Sequence, residues 1–267
     1  MWYPGTPSGK RLISVSGGFI RPGRSASCRG EVDTLGAVTS KPAAILLDGM
    51  GTLVALTPPA PALRSELAAR LGVEVTLEQA AHALAAEISY YRAHLQDGHN
   101  PAAVADLRAR CAEVLRAALP PDPRLATASG AELTAALLAS LRFEAYPDAV
   151  PALLAARRLG RRLVVVSNWD ASLPEILTTL GLAPLLDGIV TSAQVGFRKP
   201  APEIFERALE LAGCGAQDAL HVGDSLEEDV VGAQAAGIPV VLLARDGAGA
   251  PAGVRTIASL TELAGLP

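Results

Sequence analysis

Apolar residues fall along this chain in two different rhythms, and the two occupy different stretches. Short unbroken runs at 43–47, 162–166, 219–222 and 238–243 consist mainly of Ala, Val, Ile and Leu. Strands buried on both faces of a parallel sheet read this way. Between them, 147–159, 172–180, 202–211 and 226–236 carry helical spacing, 188–190 reads as a short strand, and 254–257 reads as an edge strand. Strand–helix alternation predicts an α/β protein whose parallel sheet is covered by helices on both faces. Residues 58–141 break that alternation. Prolines at 58, 59 and 61 mark a hinge, after which Leu63, Leu67, Leu71 and then Ala80, Leu84, Ile88 recur three or four apart, with further helices expected over 101–119 and 129–141. The organisation expected is a core made of 42–57 and 142–267, interrupted at 58–141 by an all-helical insertion. Ser172 with Glu175, and Ser225 with Glu228, have the spacing of a capping box, and Gly237 is the expected stop of the helix before it.

Composition narrows the possible partners. Of 267 residues, 50% are hydrophobic and only 4% aromatic, so aliphatic side chains must fill the core. The net charge of −4 supplies no basic footprint for nucleic acid. No apolar run approaches the ~20 residues that span a bilayer. Cys28, Cys111 and Cys214 are isolated, which argues against a zinc site or a disulfide framework and for a reducing cytoplasm. A small-molecule partner is expected. Residues 1–41 are rich in Gly, Ser and Pro and carry Lys10, Arg11, Arg21, Arg24 and Arg29 before the first acid, Glu31. They are expected to be a disordered extension, or translation from too early a start, since they lack the apolar core of a targeting peptide.

The apolar runs end in groups that chemistry can use. Asp48 follows the first, with Gly49, Gly51 and Thr52 in the loop behind it; Ser167 and Asn168 end the second; Thr191 and Ser192 follow the short strand; Gly223 and Asp224 follow the next run. In a parallel sheet these ends share one rim, where ligands bind. Lys199 lies in a loop stiffened by Pro200 and Pro202, and Asp229 falls in the first turn after Asp224. Each residue alone has a structural alternative: an Asp-Gly turn, a polar loop, a helix-dipole carboxylate, a solvated lysine.

Taken together, the order DGMGT, SN, K before Pro, and GDSLEED resembles the haloacid dehalogenase superfamily of aspartate-nucleophile hydrolases, in the branch with a helical cap inserted after the first motif. The resemblance implies a Rossmann-like core with the active site between core and cap. It implies that Asp48 is the nucleophile, attacking phosphorus, that Thr52, Ser167, Asn168 and Lys199 serve the phosphate, and that Asp48, the Met50 carbonyl and Asp224 hold Mg²⁺, with Asp229 helping through water or by orienting Lys199. A hard cation with oxygen ligands and a lysine would offset the repulsion between a carboxylate and a phosphate. As an exposed Asp, residue 48 is expected to be ionised at neutral pH without a base.

Phosphatases of that family carry a second Asp two residues after the nucleophile, where this chain has Met50. General acid–base help is worth ~10² to 10⁴ in rate. Three explanations follow. Another group supplies the proton, with His94, His99 or Asp170 as candidates; or the same aspartate displaces halide from carbon, as in 2-haloacid dehalogenases, which need no proton donor; or the chain binds a phosphorylated ligand without turnover. The acidic pair at 224 and 229 favours a Mg²⁺-dependent phosphatase acting on a small phosphorylated metabolite. Arg92, His94, Arg108 and Arg110 are polar positions on the insertion.

Overall fold

The computed structural model describes residues 42–247 and 252–265, so the expectation for residues 1–41 lies outside the described residues. The first strand, β1 (Ala44–Leu47), runs into the Asp48 loop, and the chain then forms β2 (Val54–Leu56). Helices α1 (Pro59–Leu71), α2 (Leu77–His94), α3 (Pro101–Ala118), α4 (Pro123–Thr127) and α5 (Gly130–Ser140) follow before the chain returns along β3 (Phe143–Ala145). From there α6 (Ala149–Arg158), β4 (Arg162–Ser167), α7 (Leu173–Thr179), β5 (Gly188–Thr191), α8 (Ser192–Val195), α9 (Pro202–Ala212) and β6 (Ala219–Gly223) alternate. A π-helical turn (Leu226–Val231), α10 (Gly232–Ala235), β7 (Val240–Leu243) and β8 (Thr256–Ile257) follow, and a 3-10 helix (Leu260–Gly265) comes after them.

Six strands form one parallel sheet in the order β5-β4-β1-β6-β7-β8. Alternate residues of a strand face opposite sides, and the packing follows that rule. Ile45, Leu47, Leu163, Val165, Leu220 and Val222 enter one apolar cluster with α6 and α7, whereas Ala44, Leu46, Val164, Val166 and Ala219 enter another with α9. The expected α/β core with helices on both faces is therefore the fold observed.

Helices α1, α2, α3 and α5 bury their own cluster, including Leu63, Leu67, Leu84, Leu107, Leu115, Leu133 and Leu137. Local signals set their ends: Thr76 with Gln79, and Ser129 with Glu132, form complete capping boxes, and Asn100 caps α3. The chain leaves for these helices along β2 and comes back along β3, which pair antiparallel, Val54 opposite Ala145 and Leu56 opposite Phe143.

Three sequence expectations fail locally, in whole or in part. The box predicted at Ser172 does not form, because its hydroxyl donates to Asp170 Oδ1 at 2.5 Å and its backbone is already helical. At Ser225 only half the box forms: the hydroxyl accepts from Glu228 N at 3.1 Å, while the Glu228 carboxylate faces Arg198 at 3.5 Å. The single helix expected over 226–236 is a π-helical turn followed by one short α-helix.

Candidate active site

β1 lies at the middle of the sheet, flanked by β4 and β6 in matched register, Leu47 opposite both Val165 and Val222. Three adjacent strands thus end together, and the backbone N–H of Asp48 donates to the Val222 carbonyl at 2.9 Å, holding the first residue past β1 against β6. Ser167, the last residue of β4, donates its hydroxyl to Asp48 Oδ1 at 3.2 Å. Lys199, from the loop between α8 and α9, crosses to the same rim and places Nζ 2.6 Å from Asp48 Oδ1 and 2.6 Å from Asp229 Oδ1. Asn168 sets that loop with both ends of its side-chain amide, accepting from Lys199 N at 2.7 Å and donating to Lys199 O at 3.1 Å. Its contacts are with the lysine backbone.

The π-helical turn brings Asp229 back over the strand end, where Oδ2 accepts from Ser225 N at 3.0 Å. One further partner was not singled out in the sequence: His221, fully buried inside β6, has Nε2 2.9 Å from Asp229 Oδ1. Burial lowers the His221 pKa in spite of that carboxylate, so the neutral ring donates from Nε2. Its ring meets Phe205 edge to face. Two glycines permit the close approach. A Cβ on Gly51, whose φ is +84°, would lie 2.0 Å from Asp224 Oδ2, and one on Gly223 would lie 2.1 Å from the Asp229 carboxyl carbon.

The carboxylates of Asp48, Asp224 and Asp229 each offer an oxygen, and these lie within 4.8 Å of one another. Their electrostatics overturn one expectation. Asp48 is not an exposed carboxylate: it is only 5% exposed, and burial pushes its pKa up to about 7, with the Lys199 charge pulling down and the Asp229 and Asp224 charges adding to the rise. Asp224, at the exposed edge of the group, is pushed up to about 6, first by desolvation and then by Asp229. Burial works in the same direction on Asp229, but the Lys199 charge and the His221 hydrogen bond prevail and hold it below the usual carboxylate range. Burial would lower the Lys199 pKa, yet the Asp229 and Asp48 carboxylates raise it. Three carboxyl groups facing one ammonium are short of positive charge, and an all-oxygen donor set is what a hard divalent cation takes. The residues present fit Mg²⁺ chemically.

The other expected residues are less directly engaged. Thr52 is fully buried with a hydroxyl that has no hydrogen-bond partner among the described residues, and an orphaned polar atom of that kind costs about 1–3 kcal/mol. Met50 is half-buried and packs against the apolar cluster that contains Leu47, Trp169 and Leu173. Each of the three proton-donor candidates has hydrogen-bond partners of its own. Asp170 is fully buried and accepts from Ser172 N at 2.8 Å, from the Ser172 hydroxyl and from Tyr91 OH at 3.2 Å, with Arg108 at 3.7 Å. It joins α2 and α3 to the segment after β4. The His94 ring stacks on Tyr90 and its Nδ1 lies 2.9 Å from the Tyr90 carbonyl, while His99 Nδ1 lies 3.0 Å from the Asp97 carbonyl. Arg110 pairs with Asp97 and Asp106, both at 2.9 Å, and Arg108 also donates to the Ser172 hydroxyl at 2.9 Å.

Residues 42–237 match the haloacid dehalogenase-like hydrolase family. The chain belongs to that family. Among similar proteins, the mouse haloacid dehalogenase-like hydrolase domain-containing protein 3 is 38% identical over 46% of this chain and 49% of its own length. A glyceraldehyde 3-phosphate phosphatase of Methanopyrus kandleri is 33% identical over 47% of this chain and 53% of its own. The hydrolase thus aligns with about half the length of these curated relatives. A solved structure of a 2-haloacid dehalogenase from Pseudomonas syringae covers 83% of the hydrolase and 96% of its own chain, at 26% identity and a TM-score of 0.60. No helix among the described residues is long and apolar enough to cross a membrane.

Proposed function

We propose that this hydrolase is a Mg²⁺-dependent phosphatase of small phosphorylated metabolites that works through an aspartyl-phosphate on Asp48. The observation that carries the reading is the oxygen-donor group of Asp48, Asp224 and Asp229 beside Lys199. Displacement of halide from carbon needs no cation, so that acidic group favours phosphoryl transfer over the chemistry of the dehalogenase neighbour. In this reading residues 58–141 act as a cap closing on a core made of 42–57 and 142–267. A cytoplasmic setting accords with the free thiols of Cys111 and Cys214.

A carboxylate oxygen of Asp48 attacks phosphorus as the bond to the leaving oxygen breaks, and water then attacks the aspartyl-phosphate phosphorus to release phosphate and restore Asp48. Ser167 and Lys199, both already bonded to Asp48 Oδ1, are placed to exchange that contact for phosphoryl oxygens. Asn168 braces the lysine and Asp229 orients it. The buried Thr52 hydroxyl is left for a ligand oxygen. Asp48, Asp224 and the Met50 carbonyl would hold the cation, with Asp229 behind them, and when bound it supplies charge neutralisation at the carboxylates and the phosphate. Met50 brings no proton to the leaving group, so activated esters are the best substrates.

The test is hydrolysis of an aryl phosphate with Mg²⁺, with chelator, and by Asp48→Asn. Activity that requires Mg²⁺ and vanishes in the variant supports the reading. Halide release from 2-haloacids that survives chelator would replace it with the dehalogenase reading. Stabilisation by inorganic phosphate with neither activity would replace it with a binding role.

A further inference from the structure

A clamp underneath the nucleophile loop plays no part in the chemistry so far. Arg245, just past β7, is partly buried and spends its guanidinium on two neighbours. On one side Nε donates to the Gly51 carbonyl at 3.2 Å and Nη2 to the Thr52 carbonyl at 2.8 Å. On the other side Nη1 and Nη2 grip the two oxygens of Asp148 at 2.9 Å each. The guanidinium also lies 3.8 Å from the centre of the Tyr146 ring. Asp148 is itself fixed, accepting from the Ser259 hydroxyl at 2.8 Å and Leu260 N at 2.9 Å.

The clamped peptides belong to the turn that follows Asp48. Its amides are satisfied internally, Gly51 N by the Val54 carbonyl at 2.8 Å, and Leu53 N and Val54 N by the Gly49 carbonyl at 2.9 Å. Gly51 has more backbone freedom than a residue with a side chain would have there, and the carbonyls that follow it are held from outside the turn. We propose that Arg245 is a positioning residue: by holding the carbonyls of Gly51 and Thr52 it fixes the two peptide planes that flank Thr52, and with them the Thr52 side chain and the turn that carries the Met50 carbonyl. The catalytic consequence rests on the phosphatase reading, whereas the loop restraint does not. A lysine cannot replace the guanidinium, because one ammonium cannot span two carbonyls and a bidentate carboxylate.

The full chain carrying Arg245→Lys, Arg245→Met or Asp148→Asn tests this by three measurements. Aryl-phosphate kinetics should show kcat down by about 10²-fold with KM little changed, the size expected of a loop misplaced by about 1 Å. Calorimetric Mg²⁺ titration should show affinity weakened by about 10-fold or more, as for other outer partners of metal ligands. Amide hydrogen exchange should speed up at Gly51, Leu53 and Val54 while β4 and β5 keep their protection. If the Met variant does not fold, the Lys and Asn variants carry the test. Unchanged exchange at those three amides in folded variants overturns the clamp. If the wild type shows no Mg²⁺-dependent hydrolysis, the phosphatase reading falls, and the exchange result alone decides for or against Arg245.

Discussion

Raising the pH should weaken the metal-free protein across the window in which Asp48 loses its proton. The carboxyl has an ordinary value of 3.8 and a folded value of about 7, raised chiefly by burial. Between those values the native state holds a proton that the unfolded chain has released, so stability falls as pH rises; the contribution is complete below 3.8 and gone above 7. At roughly 1.36 kcal/mol per pH unit the full swing is about 4 kcal/mol, or about 10 °C in melting temperature for a chain of this size. Asp224, pushed up to about 6, adds to the same trend. Asp229 does not oppose it in this window: its pKa is lowered, so its contribution is present above 3.8 and lost only under more acid conditions. Mg²⁺ competes with the proton for the same oxygens, so a bound cation flattens the slope. Differential scanning fluorimetry from about pH 5 to 8 should show melting temperature falling in chelator, nearly level in Mg²⁺, and, for Asp48→Asn in chelator, a smaller fall that ends near pH 6, where Asp224 has lost its proton. The same fall in Asp48→Asn as in wild type would refute the reasoning, because the titrating group would lie elsewhere.

Other perturbations test separate parts of the site. Met50→Asp should raise alkyl-phosphate turnover by ~10² to 10⁴ through restored proton transfer; steady-state kinetics showing no gain would mean that the missing acid does not limit the enzyme. Gly51→Ala puts a side chain into a left-handed φ and into Asp224 Oδ2; it should cost about 1–2 kcal/mol in urea unfolding and weaken Mg²⁺ binding measured by titration. Asp170→Asn removes the anionic acceptor shared by Tyr91, Ser172 and Arg108, and chemical denaturation should register a loss of about 1–3 kcal/mol.

The sheet was legible because its strands are apolar on both faces, and the polar groups gathered at its rim were legible because each such run stops at a polar residue. Asp48, Ser167 and Asp224 needed only that reading, and Lys199 and Asp229 needed the family resemblance as well. His221 escaped because it sits inside an apolar strand, Ala219–Gly223, and its partner is on the following turn. Arg245 escaped for a different reason: its carbonyl partners and Asp148 lie far back in the chain, and a single arginine after a strand carries no periodicity. Ser172 shows the opposite error, a correct local spacing overridden when Asp170 claimed the hydroxyl. The exposure of Asp48 could not be judged from its neighbours in sequence, since Ser167 and Lys199 reach it from two other segments and Asp229 meets the same lysine from a third.

The β2–β3 ribbon means that the two covalent connections of the helical block run along one seam, apart from the contacts that Tyr91 and Arg108 make with Asp170 and Ser172. Its outgoing and returning ends lie side by side, joined at Thr57, whose N–H and hydroxyl both donate to the Arg142 carbonyl, at 2.9 and 3.0 Å. A segment whose two ends meet in this way can be exchanged for one of another length without shifting the register of the sheet, because loop-closure entropy grows only slowly with length. If the block is the cap proposed above, chimaeras spliced at Thr57 and Arg142 would change substrate choice while the rim carrying Asp48 stays as it is.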